Sequence, residues 1–508
     1  MASFYQNESA FNDSKVRSPK VTPCSGMCSL CMEGCPGTCE IGLSAVLGKA
    51  MVYPTNTGSN QVASEKPLPI DYSIFNINGH CFGAEGIEAD TEKATIFNVG
   101  LEQTIGKRNP IKLAVPFTLP AIIKLNWPDY FAGAAIAGTV CVIGEGSPSK
   151  DPNLETKDGR IVKFEKLNEM LDSFRKYYRG YGQIVLQCNL EDQAMGLPEY
   201  AIKECGCEAI EFKFGQSAKG TQPANRLGSL EAALKAKASG SIVYPDPEDP
   251  AVQEAAKRNA APRFWTYGRL PQWTEETLAA KIEELRALGM KQVFFKMAGF
   301  DREDLERVLR IASDLEVDMV TFDGNGGGSG YSPDKMMNEF GLPAVCMESA
   351  LVPICDQLKA EGKYIPAICL TGGFSTEDQA FKALALGAPY IKAIGLCRAS
   401  MAAAMVGKQV EKMLAQGTVP AHLAKYGSTA EEMFLELGEV RSLYPDGRAE
   451  GISLGAVGCY SYLRKMAFGV QHFAALNRKF DISLLSRKDL IPLTMDARML
   501  MNGTWFNW

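Results

Sequence analysis

Histidine is almost absent. The 508-residue chain has three, and none falls in the cysteine-rich stretch near its start. Whatever that stretch binds must be held by thiolates, which leaves iron–sulfur ligation or a four-cysteine zinc site. Excess positive charge is missing too. Lys and Arg total 53 against 59 Asp and Glu, for a formal net charge of −6. There is no general field for a phosphodiester backbone, so nucleic acid is not an expected partner. The longest weakly polar stretch, Phe131 to Ile143, is about half a membrane span and is broken by glycines. The start, MASFYQNESAFND, is polar and acidic where a secretory signal needs a basic and then an apolar run. A cytoplasmic chain without a membrane span is the expectation.

Hydrophobic residues make up 46% and charged residues 22%, ordinary for a soluble globular protein. The length suits one large domain with appendages. From about residue 110 short apolar runs alternate with longer amphipathic stretches, the pattern of βα units on a parallel sheet. The predicted strands are Lys112–Phe117, Thr139–Ile143, Gln183–Gln187, Ala209–Phe214, Gln292–Lys296, Asp318–Phe322, Ala367–Leu370 and Tyr390–Ile394. Helical patterns fall between them at Glu165–Tyr178, Thr274–Leu288, Arg302–Leu315, Cys346–Glu361 and Thr376–Leu386, and after the last strand at Ser400–Leu414. Eight such units close a (β/α)8 TIM barrel; an open doubly wound sheet gives a similar alternation but seldom runs so long. The expected organisation is a cysteine-rich segment and connector over 1–70, then the barrel over 71–415 with an insertion at about 215–290. A helical C-terminal extension follows over 416–508, against the barrel or a neighbouring subunit.

In a barrel, chemistry collects where strands end. After the seventh predicted strand comes Thr371-Gly372-Gly373-Phe374, and after the eighth Gly395-Leu396-Cys397-Arg398. Glycines there, followed by a helix start, expose backbone N–H groups suited to a phosphate dianion. The sixth strand runs into Asp323-Gly324-Asn325-Gly326-Gly327-Gly328-Ser329-Gly330, five glycines in eight residues, a loop that lets a ligand approach the backbone closely. The fifth ends in Phe295-Lys296-Met297, where a lysine can point into the mouth. The fourth alternates Glu211 and Lys213 with apolar residues and leads to Gln216, Lys219 and Arg226, amide and cationic donors that suit a carboxylate.

Several of these segments resemble one family. Glu211–Gly220 is similar to E-I-K-x-x-Q-G-A-K-P-G of glutamate synthases, and Asp323–Pro333 to their H-D-G-G-T-G-A-S-P. Leu370–Phe374 is similar to A-D-G-G-x, Gly144-Glu145-Gly146 to a G-E-G after the second strand, and Ala114-Val115-Pro116-Phe117 stands in the place of the first flavin-contacting strand. The resemblance runs in order over about 300 residues. It implies bound FMN, electron supply through iron–sulfur centres, and reduction of 2-iminoglutarate to glutamate. It also implies cofactor contacts at Ala114, Val115, Pro116, Glu145, Gln187, Lys213, Asp323, Gly324, Gly327 and Gly328. Gly372, Gly373, Gly395 and Leu396 would line the phosphate site, Lys296 the flavin ring, and Gln187 its pyrimidine edge. Lys296, Lys219 and Gln216 are the residues expected to act on substrate, the last two at its carboxylates.

The chain departs from that pattern in three places. No amidotransferase domain fits in the first hundred residues, so glutamine hydrolysis is not expected. After Cys397 there is no cysteine until Cys459, so a three-iron cluster cannot form after strand eight. The substrate loop continues Gly220-Thr221-Gln222-Pro223 instead of P-G-E-G-G, which puts 2-oxoglutarate in doubt. Cys24, Cys28, Cys31, Cys35 and Cys39 lie within sixteen residues and include a Cys-Pro step, as in bacterial ferredoxins. A [4Fe–4S] cluster there would replace the missing centre, since a flavin enzyme without a nicotinamide fingerprint needs another electron route. The leading expectation is a flavin oxidoreductase acting on CH–NH2 donors, or on an imine or 2-oxo acid in reverse. Its partners would be a small carboxylate or amine substrate, a ferredoxin-like donor or partner subunit, and further copies of itself. An amine-transfer synthase subunit resembling N-methylglutamate synthase and an electron-carrier subunit of a larger complex are the alternatives.

Overall fold

The computed structural model describes residues 45, 70–123, 125–215, 224–258, 264–270, 272–325, 327 and 340–506. These fall into two compact units. One comprises Pro69–Phe214, Gln272–Phe322 and Pro343–Trp508; the described residues of the other are Ala45 and those from Gly215–Pro271 and Asp323–Leu342.

The first unit is built on a closed barrel of eight strands: β1 (Phe117–Ile122), β2 (Val140–Ile143), β3 (Gln183–Cys188), β4 (Ala209–Lys213), β5 (Gln292–Ala298), β6 (Met319–Asp323), β7 (Ala367–Thr371) and β8 (Ile391–Gly395). Each pairs with its chain neighbours and β8 closes in parallel on β1, with Ile394 opposite Phe117. The helices that alternate with these strands are α1 (Trp127–Ala137), α2 (Glu165–Arg175), α3 (Leu197–Cys205), α4 (Glu275–Ala287), α5 (Arg302–Asp314), α6 (Ala344–Ala360), α7 (Glu377–Leu386) and α8 (Arg398–Gln416). The expected TIM barrel is thus the fold, because successive strands flanked by helices on one side can bury their inner faces only by closing. Val140, Val142, Val185, Phe294, Met319 and Cys369 pack in one buried cluster, as strand alternation requires.

The first predicted strand is corrected. Ile111–Leu113 pairs antiparallel with Gln103–Ile105 as a hairpin, and the barrel strand begins only at Phe117. Ile105, Ile111 and Leu113 join the barrel core and close its N-terminal end. Two apolar runs stand side by side here, and period alone cannot say which enters the sheet. Tertiary packing gives the ladder to the second run. In consequence Ala114, Val115 and Pro116 lie before β1, and the Pro116 carbonyl accepts from the Ile394 N–H.

The C-terminal region is more than a helical appendage. Helix α9 (Leu454–Leu476) packs along α8 and α1 through small residues: a Cβ on Gly458 would lie 2.7 Å from the Ala403 carbonyl, and one on Gly133 2.6 Å from the Cys459 Cβ. Beyond it, Leu490–Pro492 pairs antiparallel with Phe75–Ile77. A buried 2.8 Å ion pair, Lys479 with Asp489, pins this tail. No helix among the described residues is long and apolar enough to cross a membrane.

The second unit contains a three-stranded antiparallel sheet, Ala224–Leu227, Phe264–Tyr267 and Ile242–Tyr244 in spatial order. Helices Leu230–Ala238 and Pro250–Lys257 connect its strands, N-capped by Ser229 and Asp249. This sheet accounts for most of the expected insertion. Near the end of the 215–290 span stands α4, a barrel helix.

Candidate functional site

The strand ends gather a buried polar set. Alternation along β4 turns Glu211 and Lys213 inward, while Phe212 and Phe214 turn outward to meet Phe295, with ring centroids 6.1 and 5.1 Å apart. Gln187 on β3, Glu211 and Lys296 on β5 are all buried. A small cavity is lined by Thr118, Pro120, Ala121, Glu211, Lys296 and Thr321 among others. Gln187 Nε2 donates to Glu211 Oε1 at 2.5 Å. That bond fixes the amide, and its other end, Oε1, is fully buried with no hydrogen-bond partner. An unsatisfied buried carbonyl costs about 1–3 kcal/mol, so the position calls for a donor. Burial pushes the Glu211 carboxyl above its ordinary range; Lys296, the Gln187 bond and Lys213 pull it back.

Beside this set, Lys213 Nζ stands 3.9 Å from Glu145, which follows β2. The Gly146 N–H donates to Asp192 at 2.9 Å. Burial raises Asp192 to about 7, against the lowering effect of the Gly146 and Asn189 N–H groups.

The other side of the mouth is backbone. Gly372 and Gly373 after β7 have φ of 107° and 96°, a left-handed turn that suits glycine. A Cβ on Gly395 would come 2.7 Å from the Thr371 Cβ and 2.9 Å from Pro120, so only glycine passes there. Leu396 is buried, and its N–H is taken by the Thr118 carbonyl at 2.9 Å, so it forms wall. Helix α8 then starts with no side-chain cap and no acidic residue in its first turn. Ser400, in that turn, is fully buried with an unpartnered hydroxyl. A helix start without a side-chain cap, the helix dipole and a buried hydroxyl suit an anion.

The expected site residues divide accordingly. Gln187, Lys213, Glu145, Lys296, Gly372, Gly373, Gly395 and Leu396 all lie at the ends of barrel strands or in the turns just after them. Ala114, Val115 and Pro116 do not, and β1 contributes Thr118, Pro120 and Ala121 to the cavity instead. Asp323, Gly324 and Gly327 belong to the second unit, where Asp323 is buried and Gly327 approaches it so closely that a Cβ would collide with the carboxylate. Gln216, Lys219, Gly328, Cys24, Cys28, Cys31, Cys35 and Cys39 lie outside the described residues. Among the described residues no group of three or more His, Cys, Asp or Glu could hold a metal ion. Ser400 and Thr321 carry no glycine or charge signal and were not legible as site residues; Pro120 and Ala121 could have been found only by placing β1 correctly.

Residues 272–412, from α4 through most of α8, match the family model described as the conserved region in glutamate synthase. A curated relative, the glutamate synthase large subunit-like protein YerD of Bacillus subtilis (strain 168), is 28% identical over 188 residues. That alignment covers 36% of this chain and 32% of the relative, so it spans about a third of that protein's length. Among solved structures, a flavocytochrome b2 variant with sulfite bound is 14% identical with a TM-score of 0.49, covering 90% of this chain and 86% of that one. The recombinant flavin-binding domain of baker's yeast flavocytochrome b2 is 13% identical with a TM-score of 0.48, covering 90% and 91%. The fold rests on the strand pairing above and not on these two likenesses.

Proposed function

We propose that the chain is an FMN-dependent oxidoreductase of the glutamate synthase type, acting at a carbon–nitrogen centre of a small carboxylate or amine. The observation that carries this reading is the content of the matched region. Residues 272–412 include Lys296, the Gly372-Gly373 turn, Gly395 and the uncapped start of α8.

The residues present fit FMN. Gln187 offers a buried acceptor lacking a donor, and Gly395 leaves a cradle that any side chain would fill. The start of α8 with Ser400 suits a phosphate dianion. When bound, FMN supplies hydride transfer to or from a substrate carbon. The protein's part is orientation and charge. Lys296 would hold positive charge at the ring, Gln187 would accept from its imide N–H, and the turn after β7 with the start of α8 would hold the phosphate. Lys213 and Glu145 would meet the polar end of a substrate.

An electron route through a cluster on Cys24, Cys28, Cys31, Cys35 and Cys39 belongs to the same proposal and rests on their spacing. A ferredoxin-like donor or a partner subunit would supply it. Anaerobic purification followed by visible spectroscopy, flavin extraction and iron, sulfide and zinc assays tests both parts. Stoichiometric FMN with matching iron and sulfide is the expected result. A colourless protein holding zinc and no flavin would sink the reading. Failure to convert 2-oxoglutarate and ammonia with reduced ferredoxin, at full flavin and cluster loading, would remove glutamate synthesis and leave another imine or amine as substrate.

A further inference from the structure

Helix α9 lies outside the barrel, yet one stripe of it touches both elements of the anion-binding end. Gly455, Gly458, Tyr462, Lys465 and Gly469 recur at spacings of three and four and so share a face. The first two meet α8: a Cβ on Gly455 would lie 2.9 Å from the Ala404 carbonyl, and one on Gly458 2.7 Å from that of Ala403. Gly407 of α8 comes so close in return that a Cβ would collide with the Leu454 carbonyl. The other three meet the turn after β7 and the first residue of α7. Tyr462 Oη donates to the Ser375 carbonyl at 2.8 Å, Lys465 pairs with Glu377, and Gly469 lets the Glu377 side chain pass where a Cβ would collide. From the opposite side Tyr72 packs on Phe374, centroids 5.3 Å apart, and its hydroxyl donates to Glu348 at 3.0 Å. A turn with two left-handed glycines has little stiffness of its own. Here its position is set by residues almost 90 positions away.

We propose that α9 is the brace of the phosphate site, with Tyr462 and Lys465 as positioning residues that set the preference for a phosphorylated flavin over its dephosphorylated form. This rests on the FMN reading above. If the stripe holds the Gly372–Ser375 turn and α8 in register, loosening it must weaken contacts to phosphate while leaving contacts to the ring, on β3 to β5, as they are.

The test compares FMN and riboflavin on the full chain after flavin removal, by fluorescence titration of wild type, Tyr462→Phe and Lys465→Gln, with circular dichroism as the folding control. Wild type is expected to prefer FMN strongly. Tyr462→Phe should cut that preference about three- to ten-fold, the range for one hydrogen bond, with riboflavin affinity unchanged. Lys465→Gln, at an exposed pair, should cut it about two-fold; it also stands in should the first variant fail to fold. An unchanged preference in both variants overturns the brace and leaves the FMN reading standing. A parallel loss of both flavins also overturns it, as general destabilisation. A wild type with no preference for FMN overturns the phosphate assignment and the brace with it.

Discussion

Two helices begin at the same barrel mouth, and their N-termini are made for different things. At α7 the Gln379 side chain accepts from the Ser375 and Thr376 N–H groups at 3.0 and 3.2 Å, and Glu377 and Asp378 occupy the first turn. That end supplies its own acceptors and negative charge. At α8 there is no cap and no acid, and the one buried hydroxyl is unpartnered. Both follow a glycine-bearing strand end, so glycine alone does not identify an anion site. What distinguishes them is whether side chains cap the helix start and place negative charge in its first turn.

Breaking the α8 side should have the largest effect. Gly395→Val would force a side chain onto Thr371 and Pro120, and FMN binding should fall by about 100-fold or more, read by equilibrium dialysis on protein that retains its circular dichroism. Retained tight binding would mean that the phosphate does not lie beside β8. Lys296→Met tests the ring side of the same ligand. Turnover should drop on the order of 100-fold and the flavin potential should fall, as the reduced, more negative flavin loses its cation. A potential unchanged from wild type would detach Lys296 from the cofactor.

A third experiment uses pH. Burial raises Asp192 to about 7, well above the ordinary carboxylate range. The folded state therefore holds a proton that the unfolded state has lost, and stability falls as pH rises from the unfolded pKa through about 7. Between pH 5 and 8 the loss should be about 2–3 kcal/mol, seen in denaturant midpoints, and Asp192→Asn should flatten that slope. An identical slope in the variant would refute the assignment. The smallest effects bear directly on the two helix ends. Ser400→Ala should weaken FMN about three- to ten-fold without touching riboflavin, whereas Asp378→Asn at α7 should leave FMN within about two-fold. Equal losses from the two substitutions would erase the distinction between the ends.

Much of this was legible before any fold was known. Strands β2 to β8 lie within two residues of their predicted positions, because each is a short β-branched run between turn signals and is buried on both faces. Gly372-Gly373 and Lys296 were legible because glycine pairs and lysines are rare at buried strand ends. The first strand was not. Lys112–Phe117 and Phe117–Ile122 are both apolar, and only the hairpin that closes the barrel floor assigns one to each role. Ser400 looks like any helical serine until α8 is seen uncapped, and Tyr462 looks like a core aromatic until its hydroxyl meets Ser375.

The sequence by itself determined the barrel, the glycine turns and the charged positions on β4 and β5. Each depends on local period and residue chemistry, which neighbours in the chain already express. Only the tertiary structure decided which run becomes β1, which helix start lacks a side-chain cap, and which distant helix packs against the turn beside it. Those depend on what fills the space next to a backbone group. Residues far apart in the chain meet there through packing that no local pattern encodes.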